Sequence, residues 1–463
     1  MRGPICLAQT IDVHGDGNFP QGCSFSPDGL CIATATAADA RLRLYNTVHN
    51  SNCTTDATTD NNGKTSVKIH AWQTALASTV VGETIRSYDW YPPMNSSDPS
   101  TCCLIATGRD QPVQLIDAYT GGIRATYVPM NAMDEMESPS VVQFSTDGHS
   151  IVAAGFRTER MIQLFDSARP GKHASSLLKL GQTRRSSDGQ KGLVSALAFH
   201  SQPQQQSNTN LLAVGTYAPG SIYIYDFRQG SQQPSGTIWN GSCIVGHGKK
   251  HASKKRRNGE DDDDNFFSAA KTQWYAHRAQ RGITQLQFDQ DGKLYSASRN
   301  SDSILVWDVR MLSGNPSYSN TPIRGYTSFP VSAPTNQRIQ FALDDSSSRL
   351  FVGGVPDTFT KKAVVRVYNT SVESSSDNKL VQELVIPECA PTDAVNGLSY
   401  NATYDMLAVA TGSRRFPDFE DASNDNQQEQ DEVLPPGSLR LYKWNTVSTT
   451  KDSSTDGNTD GSP

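Results

Sequence analysis

The chain has 463 residues, a formal net charge of −6 and only 19% charged residues. That length suggests about three ordinary domains or one large repeat architecture, and so little charge argues against wholesale disorder. No run of about 18 apolar residues exists, which excludes a membrane-spanning helix. The first twenty residues lack a basic start followed by an apolar run, so no secretory signal is expected. Eight cysteines without a CxxC pair read as reduced thiols of an intracellular protein.

One unit recurs along the chain. It is an alternating strand ending in an aromatic, a turn, an apolar strand, a polar turn and another alternating strand. In chain order the first strand ends at Phe25, Trp90, Phe144, Phe199, Phe288, Leu343 and Tyr400. The third strand repeats as RLRLYN, VQLID, IQLFD, IYIYD, ILVWD, VRVYN and LRLYK. Period-two alternation of β-branched and aromatic residues predicts strands, and no helical period competes. Seven such units predict an all-β, seven-bladed WD-repeat β-propeller over residues 1–445.

Four segments interrupt the pattern. Residues 48–68 read as a Ser/Thr/Asn/Asp loop, and 230–272 as the largest insertion, holding KKHASKKRR and then EDDDD. Residues 417–437 are acidic and Gln-rich, and 446–463 form a polar tail expected to be disordered. The basic run, Lys249 to Arg257, reads either as a nuclear-import address or as a solvated loop balanced by its acidic neighbour. Setting aside these charge runs and the tail leaves 34 bases against 32 acids. The body is therefore near +2 and admits an anionic ligand.

Chemistry concentrates on one predicted face. The turn after each second strand falls beside the central channel. In register, those turns carry Arg109, Arg157, Tyr217, Arg299 and the run Arg414, Arg415, Phe416. Blade 6 (VGGVPD) breaks the pattern, and blade 1 offers only Asp39. Residues entering the first strands, Arg86, Lys191, Arg281 and Arg338, approach the same face. Guanidinium groups bind phosphate bidentately and stack on bases, and Tyr217 and Phe416 add aromatic platforms. The ring suits unpaired or looped RNA. In the competing reading, each Arg braces its own turn against Asp110, Glu159, Asp302 or Asp418. An acidic peptide is an alternative ligand.

Other signals are structural or absent. Trp307–Asp308 is the best match to the WD signature, and His277, Ser296 or Ser298, Asp302 and Trp307 read as a polar chain bracing that blade. No G-x-S-x-G, P-loop or HExxH motif occurs, and no His/Cys spacing suits zinc. No catalytic residue, metal or cofactor is expected. The boxes Tyr225 to Arg228 and Trp307 to Arg310 leave one other possibility, a protein adaptor resembling cullin-ligase substrate receptors.

Several stretches together resemble the telomerase Cajal body protein family of WD-repeat proteins. They are GCSFSPDGLCIATATAADARLRLYN, ETIRSYDWYPPM, GRDQPVQLIDAYTGGIRATY, TNQRIQFALD and NGLSYNATYDMLAVATGSRRFPDFED. The resemblance implies a non-catalytic scaffold that binds H/ACA small Cajal body RNA and, in animals, telomerase RNA. It further implies dyskerin-type core proteins as partners, location in nuclear Cajal bodies and no membrane. A monomer is expected.

Overall fold

In the computed structural model the described residues are 4–10, 18–47, 57–59, 65–67, 70–72, 75–158, 161–179, 192–200, 211–217, 220–226, 236–238, 281–299, 301, 303–309, 324–327, 337–344, 346, 348–356, 360–371, 380–387, 389–414 and 437–444. They form seven antiparallel blades arranged as a β-propeller, with a separate two-stranded hairpin. Blade 1 pairs Ser24–Phe25, Cys31–Ala35, Arg41–Asn46 and Ala77–Val80. Blade 2 pairs Ile85–Trp90, Cys103–Gly108, Val113–Asp117 and Ile123–Tyr127. Blade 3 pairs Val141–Phe144, Ser150–Ala154, Met161–Asp166 and Ser176–Lys179. Blade 4 pairs Val194–His200, Leu211–Thr216, Ile222–Asp226 and Gly236–Ile238. Blade 5 pairs Arg281–Phe288, Lys293–Arg299, Ser303–Asp308 and Arg324–Thr327. Blade 6 pairs Phe341–Asp344, Arg349–Val352, Ala363–Asn369 and Leu380–Ile386.

Blade 7 closes the ring with both ends of the described chain. Ala394–Asn401, Met406–Gly412 and Leu439–Lys443 come from its C-terminal part, and Ile5–Thr10 pairs antiparallel with Leu439–Lys443 as the fourth strand. His70–Trp72 then adds parallel to Ile5–Thr10, covering an edge that would otherwise be open. Trp72 is buried there and lies over Tyr45, with ring centroids 5.3 Å apart.

Two segments differ from the sequence expectation. Within 48–68, Ala57–Thr59 pairs with Thr65–Val67 as a hairpin rather than a plain loop. Within 230–272, Gly236–Ile238 is the outer strand of blade 4. A three-residue strand amid polar residues carries too short a period to register. The basic run 249–257, the stretch 417–436 and the tail 446–463 lie outside the described residues.

Alternation explains the packing. Ile304 and Val306 enter the core shared with blade 6, beside Phe341 and Leu350. Leu305 and Trp307 enter the core shared with blade 4, beside Ala213 and Ile224. Both faces of a blade are buried, so its strands need apolar residues at successive positions. Fully burying a side chain of this size contributes about 1.5–3 kcal/mol. Trp307 Nε1 also donates to Ser296 Oγ at 2.9 Å. His277 and Asp302, the other members of the expected chain, lie outside the described residues.

The turns between first and second strands define the lower face. In SPDG, Asp28 Oδ1 accepts from Ser26 Oγ at 2.6 Å and from Leu30 N at 3.2 Å. Gly29 follows with φ +74°, a conformation that L side chains enter only with strain.

Candidate functional site

The upper face is where first strands begin and second strands end. Antiparallel pairing therefore brings the turns after Gly108, Ala154, Thr216, Arg299 and Gly412 to one rim, together with the entries to the first strands. Of the expected rim residues, Arg109, Arg157, Tyr217, Arg299, Arg338 and Arg414 are described, and all six turns or entries lie on this face. Arg415, Phe416 and Lys191 lie outside the described residues, and Arg281 is placed by its backbone alone.

Two sectors of the rim have defined contacts. In the first, the Arg299 guanidinium lies 5.1 Å from the ring centroid of Tyr217, joining blades 4 and 5. Arg338, which leads into blade 6, is close enough to Arg299 for the two charges to repel. Enclosure by protein, then that repulsion, lowers the Arg338 pKa from its ordinary value, although the side chain opens to solvent at the channel mouth. Arg299 and Arg338 have no ion pair with any acid among the described residues. Two like charges held together with no acid partner among the described residues raise the local positive potential, which attracts anions.

In the second sector, Arg86 and Arg109 of blade 2 share the rim with Ser138. Arg86 Nη1 donates to Ser138 O at 3.2 Å and to Ser138 Oγ at 3.1 Å. Ser138 Oγ also accepts from Asp110 N at 3.2 Å, which fixes the turn bearing Arg109. Arg109 follows the competing reading. It pairs with Glu83 at 3.6 Å and with Asp110 at 3.4 Å, all three side chains being mostly exposed. Such exposed pairs are weak, at about 0–1 kcal/mol. Arg157 is exposed and has no ion pair among the described residues, while its neighbour Thr158 donates its backbone N–H to Glu137 Oε1 at 2.6 Å. In blade 1, Asp39 is occupied by Arg43, Thr36 and Asn18. Burial works against its charge, but those bonds outweigh it and hold the carboxyl well below the usual range.

Below the rim, a channel cavity of about 400 Å³ descends between the first strands. Arg86 and Arg338 flank its mouth, and Asp89, Gln143, Gln285 and Gln340 line it deeper down. Most of these stitch blade to blade. Asp89 Oδ2 accepts from Phe144 N at 2.8 Å, and Gln285 exchanges two bonds with the Phe341 backbone at 2.9 and 3.0 Å. Burial pushes the Asp89 carboxyl up to about 7, against the bonds from the Phe144 and Trp90 backbone. The sequence reading did not single out this inward row. Its signal is a polar residue one or three places before the residue that ends the first strand, present in every blade but the fourth.

Among the described residues, no group of three His, Cys, Asp or Glu side chains is placed to hold a metal ion. Arg228 and Arg310, the arginines of the adaptor-like boxes, lie outside the described residues, and the accompanying Tyr225 and Trp307 are buried.

Seven blades, a WD-type Trp307 contact and a basic channel rim define a WD-repeat β-propeller protein. No family model matches the chain. It is 29% identical to telomerase Cajal body protein 1 of Mus musculus over 417 residues, covering 89% of this chain and 62% of that protein. The telomerase Cajal body protein 1 homolog of Drosophila melanogaster is 26% identical over 416 residues, covering 88% of this chain and 59% of that protein. The guanine nucleotide-binding protein negative regulator 1 of Schizosaccharomyces pombe is 26% identical over 339 residues, covering 73% of this chain and 68% of that protein. Over most of its length the chain is similar to proteins of the telomerase Cajal body protein family. It spans about three-fifths of the length of the Cajal body relatives named here.

Proposed function

We propose that the chain is a non-catalytic RNA-binding scaffold of the nucleus. It recognises H/ACA small Cajal body RNAs through the upper rim and directs their particles to Cajal bodies. Dyskerin-type core proteins are its protein partners, and telomerase RNA is a further cargo. The names of the relatives support the Cajal body and telomerase setting. The observation that carries the RNA reading is the Tyr217–Arg299–Arg338 sector, an aromatic ring beside two guanidiniums without an acid partner among the described residues. Phosphate neutralises the cations, and an unpaired base stacks on the ring.

Gel shifts on H/ACA-type guide RNA hairpins, at low and moderate salt, test this reading. Binding should weaken steeply with salt. The triple variant Arg157→Ala, Arg299→Ala, Arg338→Ala should lose about a hundredfold or more in affinity at low salt, with a shallower salt dependence. Unchanged affinity in that variant would discard the rim as the RNA site.

A further inference from the structure

The first two strands of blade 4 reach the upper face with an apolar pair. Tyr217 N donates to Leu193 O at 2.8 Å, one step beyond the paired Val194 and Thr216. Residues opposite each other on antiparallel strands project to the same side of the sheet. Val194 packs into the core shared with blade 3, so Leu193 and Tyr217 turn the other way, toward blade 5. There the Arg299 guanidinium lies over the Tyr217 ring. Both side chains stay open to solvent, Leu193 at 41% and Tyr217 at 45% exposure.

Gly282 of blade 5 decides how that ring sits. It is the extra residue of a β-bulge, since Arg281 stands opposite Arg299 and Ile283 opposite Ser298. Its φ is +81°. A Cβ at this position would lie 2.7 Å from Tyr217 O and 3.0 Å from Tyr217 Cδ2. Any side chain would therefore push on both the backbone and the ring of Tyr217. Arg299 over the ring and Gly282 against its edge hold the aromatic in one place while much of it stays open.

Resting on the RNA-binding reading above, we infer that one unpaired base of the bound loop seats against the Leu193–Tyr217 pair, and that Gly282 is the positioning residue that holds the ring for it. The base stacks on the open part of the ring and gains apolar contact with Leu193. Arg299 keeps its charge beside the seat, available to the adjoining phosphate. Every base has a π-face, so the seat selects an unpaired base rather than a particular one. A loop supplies such bases without the cost of opening a duplex.

RNA hairpins enriched by the full-length chain from a pool with a randomised loop of about eight nucleotides are the probe. Abasic sites are then scanned through the enriched loop. One position should cost the wild type about tenfold when its base is removed, and should cost Tyr217→Ala nothing further. Leu193→Ser should weaken binding about threefold and shrink the cost at that same position. Gly282→Ala should bind about fivefold more weakly, mask the same position and add nothing in the Tyr217→Ala background. Its salt slope should match the wild type, because no charge is removed. If Gly282→Ala misfolds, Gly282→Asn replaces it, since Asn tolerates a positive φ yet still carries the Cβ. A folded Gly282 variant with the wild-type abasic profile, or failure of both variants to fold, makes the glycine a need of the blade and overturns its positioning role. A loop with no position masked by Tyr217→Ala overturns the seat and leaves the rim reading intact. A pool that enriches nothing, or a triple rim variant that binds normally, overturns the RNA reading itself.

Discussion

The two faces of the disc use the same side chain in opposite ways. On the lower face, Arg349 of blade 6 is enclosed. It bonds Asp344 at 2.8 Å, Asp405 at 3.3 Å and the Tyr400 hydroxyl at 2.6 Å. Its guanidinium also lies 5.1 to 6.0 Å from the ring centroids of Tyr400, Phe351 and Trp444. On the upper face, Arg157, Arg299 and Arg338 are open or half-open and lack such acids among the described residues. Arginine is common to both, so the difference lies in where the acids fall. The lower turns carry Asp28, Asp147, Asp289, Asp344 and Asp405, whereas on the upper face Arg157, Arg299 and Arg338 have no ion pair among the described residues. The Arg349 cluster holds blades together, whereas Arg157, Arg299 and Arg338 present their charge outward.

The largest effect should come from breaking the enclosed site. Arg349→Ala leaves the Asp344 carboxylate buried without its cation and removes packing against three rings. Removing one partner of a buried pair costs about 3–5 kcal/mol. Urea unfolding should show that loss, and the folded fraction should still bind RNA hairpins with wild-type affinity. A drop below about 1 kcal/mol would mean the cluster is solvent-screened and the contrast between the faces is false. The rim triple variant described above is the mirror image. It should lose RNA binding while its melting temperature moves by no more than a few degrees, the change expected for about 1 kcal/mol or less.

The junction between the faces supplies the next test. Asp89 is held in the channel wall with its carboxyl pushed up to about 7 by burial. An ordinary aspartate ionises near 3.9, so the folded state binds this proton more tightly than the unfolded chain does. The associated stability is present below that ordinary value and is lost progressively as pH rises through about 7. Asp89→Asn keeps an acceptor for Phe144 N and removes the titration. Its urea midpoint should decline less than that of the wild type between pH 5 and pH 8. Parallel pH profiles for the two proteins would show that Asp89 stays ionised throughout, with water in the channel compensating for burial.

How far the sequence alone reaches follows from where each signal lives. The seven blades were legible because alternation is local, and the aromatics from Phe25 to Tyr400 recur in register. The placing of the Arg157 and Arg299 turns on one face was legible for the same reason, since strand order fixes which end of a blade each turn occupies. Closure by Ile5–Thr10 was not legible. Six residues of weak alternation carry no mark of their partner Leu439–Lys443, more than 400 positions away. The Arg349 cluster draws on blade 6, blade 7 and Trp444, so no single stretch announces it. Strand Gly236–Ile238 escaped because three residues cannot display a period.

The smallest effect belongs to Arg109, the one rim arginine that stands between the two regimes. Its partners Glu83 and Asp110 are themselves exposed, with side-chain exposures of 73% and 77%. Such exposed carboxylates brace the turn only weakly and compete with phosphate for the Arg109 guanidinium. Glu83→Gln should therefore leave unfolding within about 0.5 kcal/mol of wild type, the range for exposed pairs. It should also strengthen RNA binding by about two- to threefold at low salt, because one cation is released and one repelling carboxylate is gone. The gain should vanish at high salt, where screening already weakens the pair. A measurable loss of stability would move Arg109 into the same class as Arg349, and a loss of RNA affinity would make Glu83 a positioning group for its arginine.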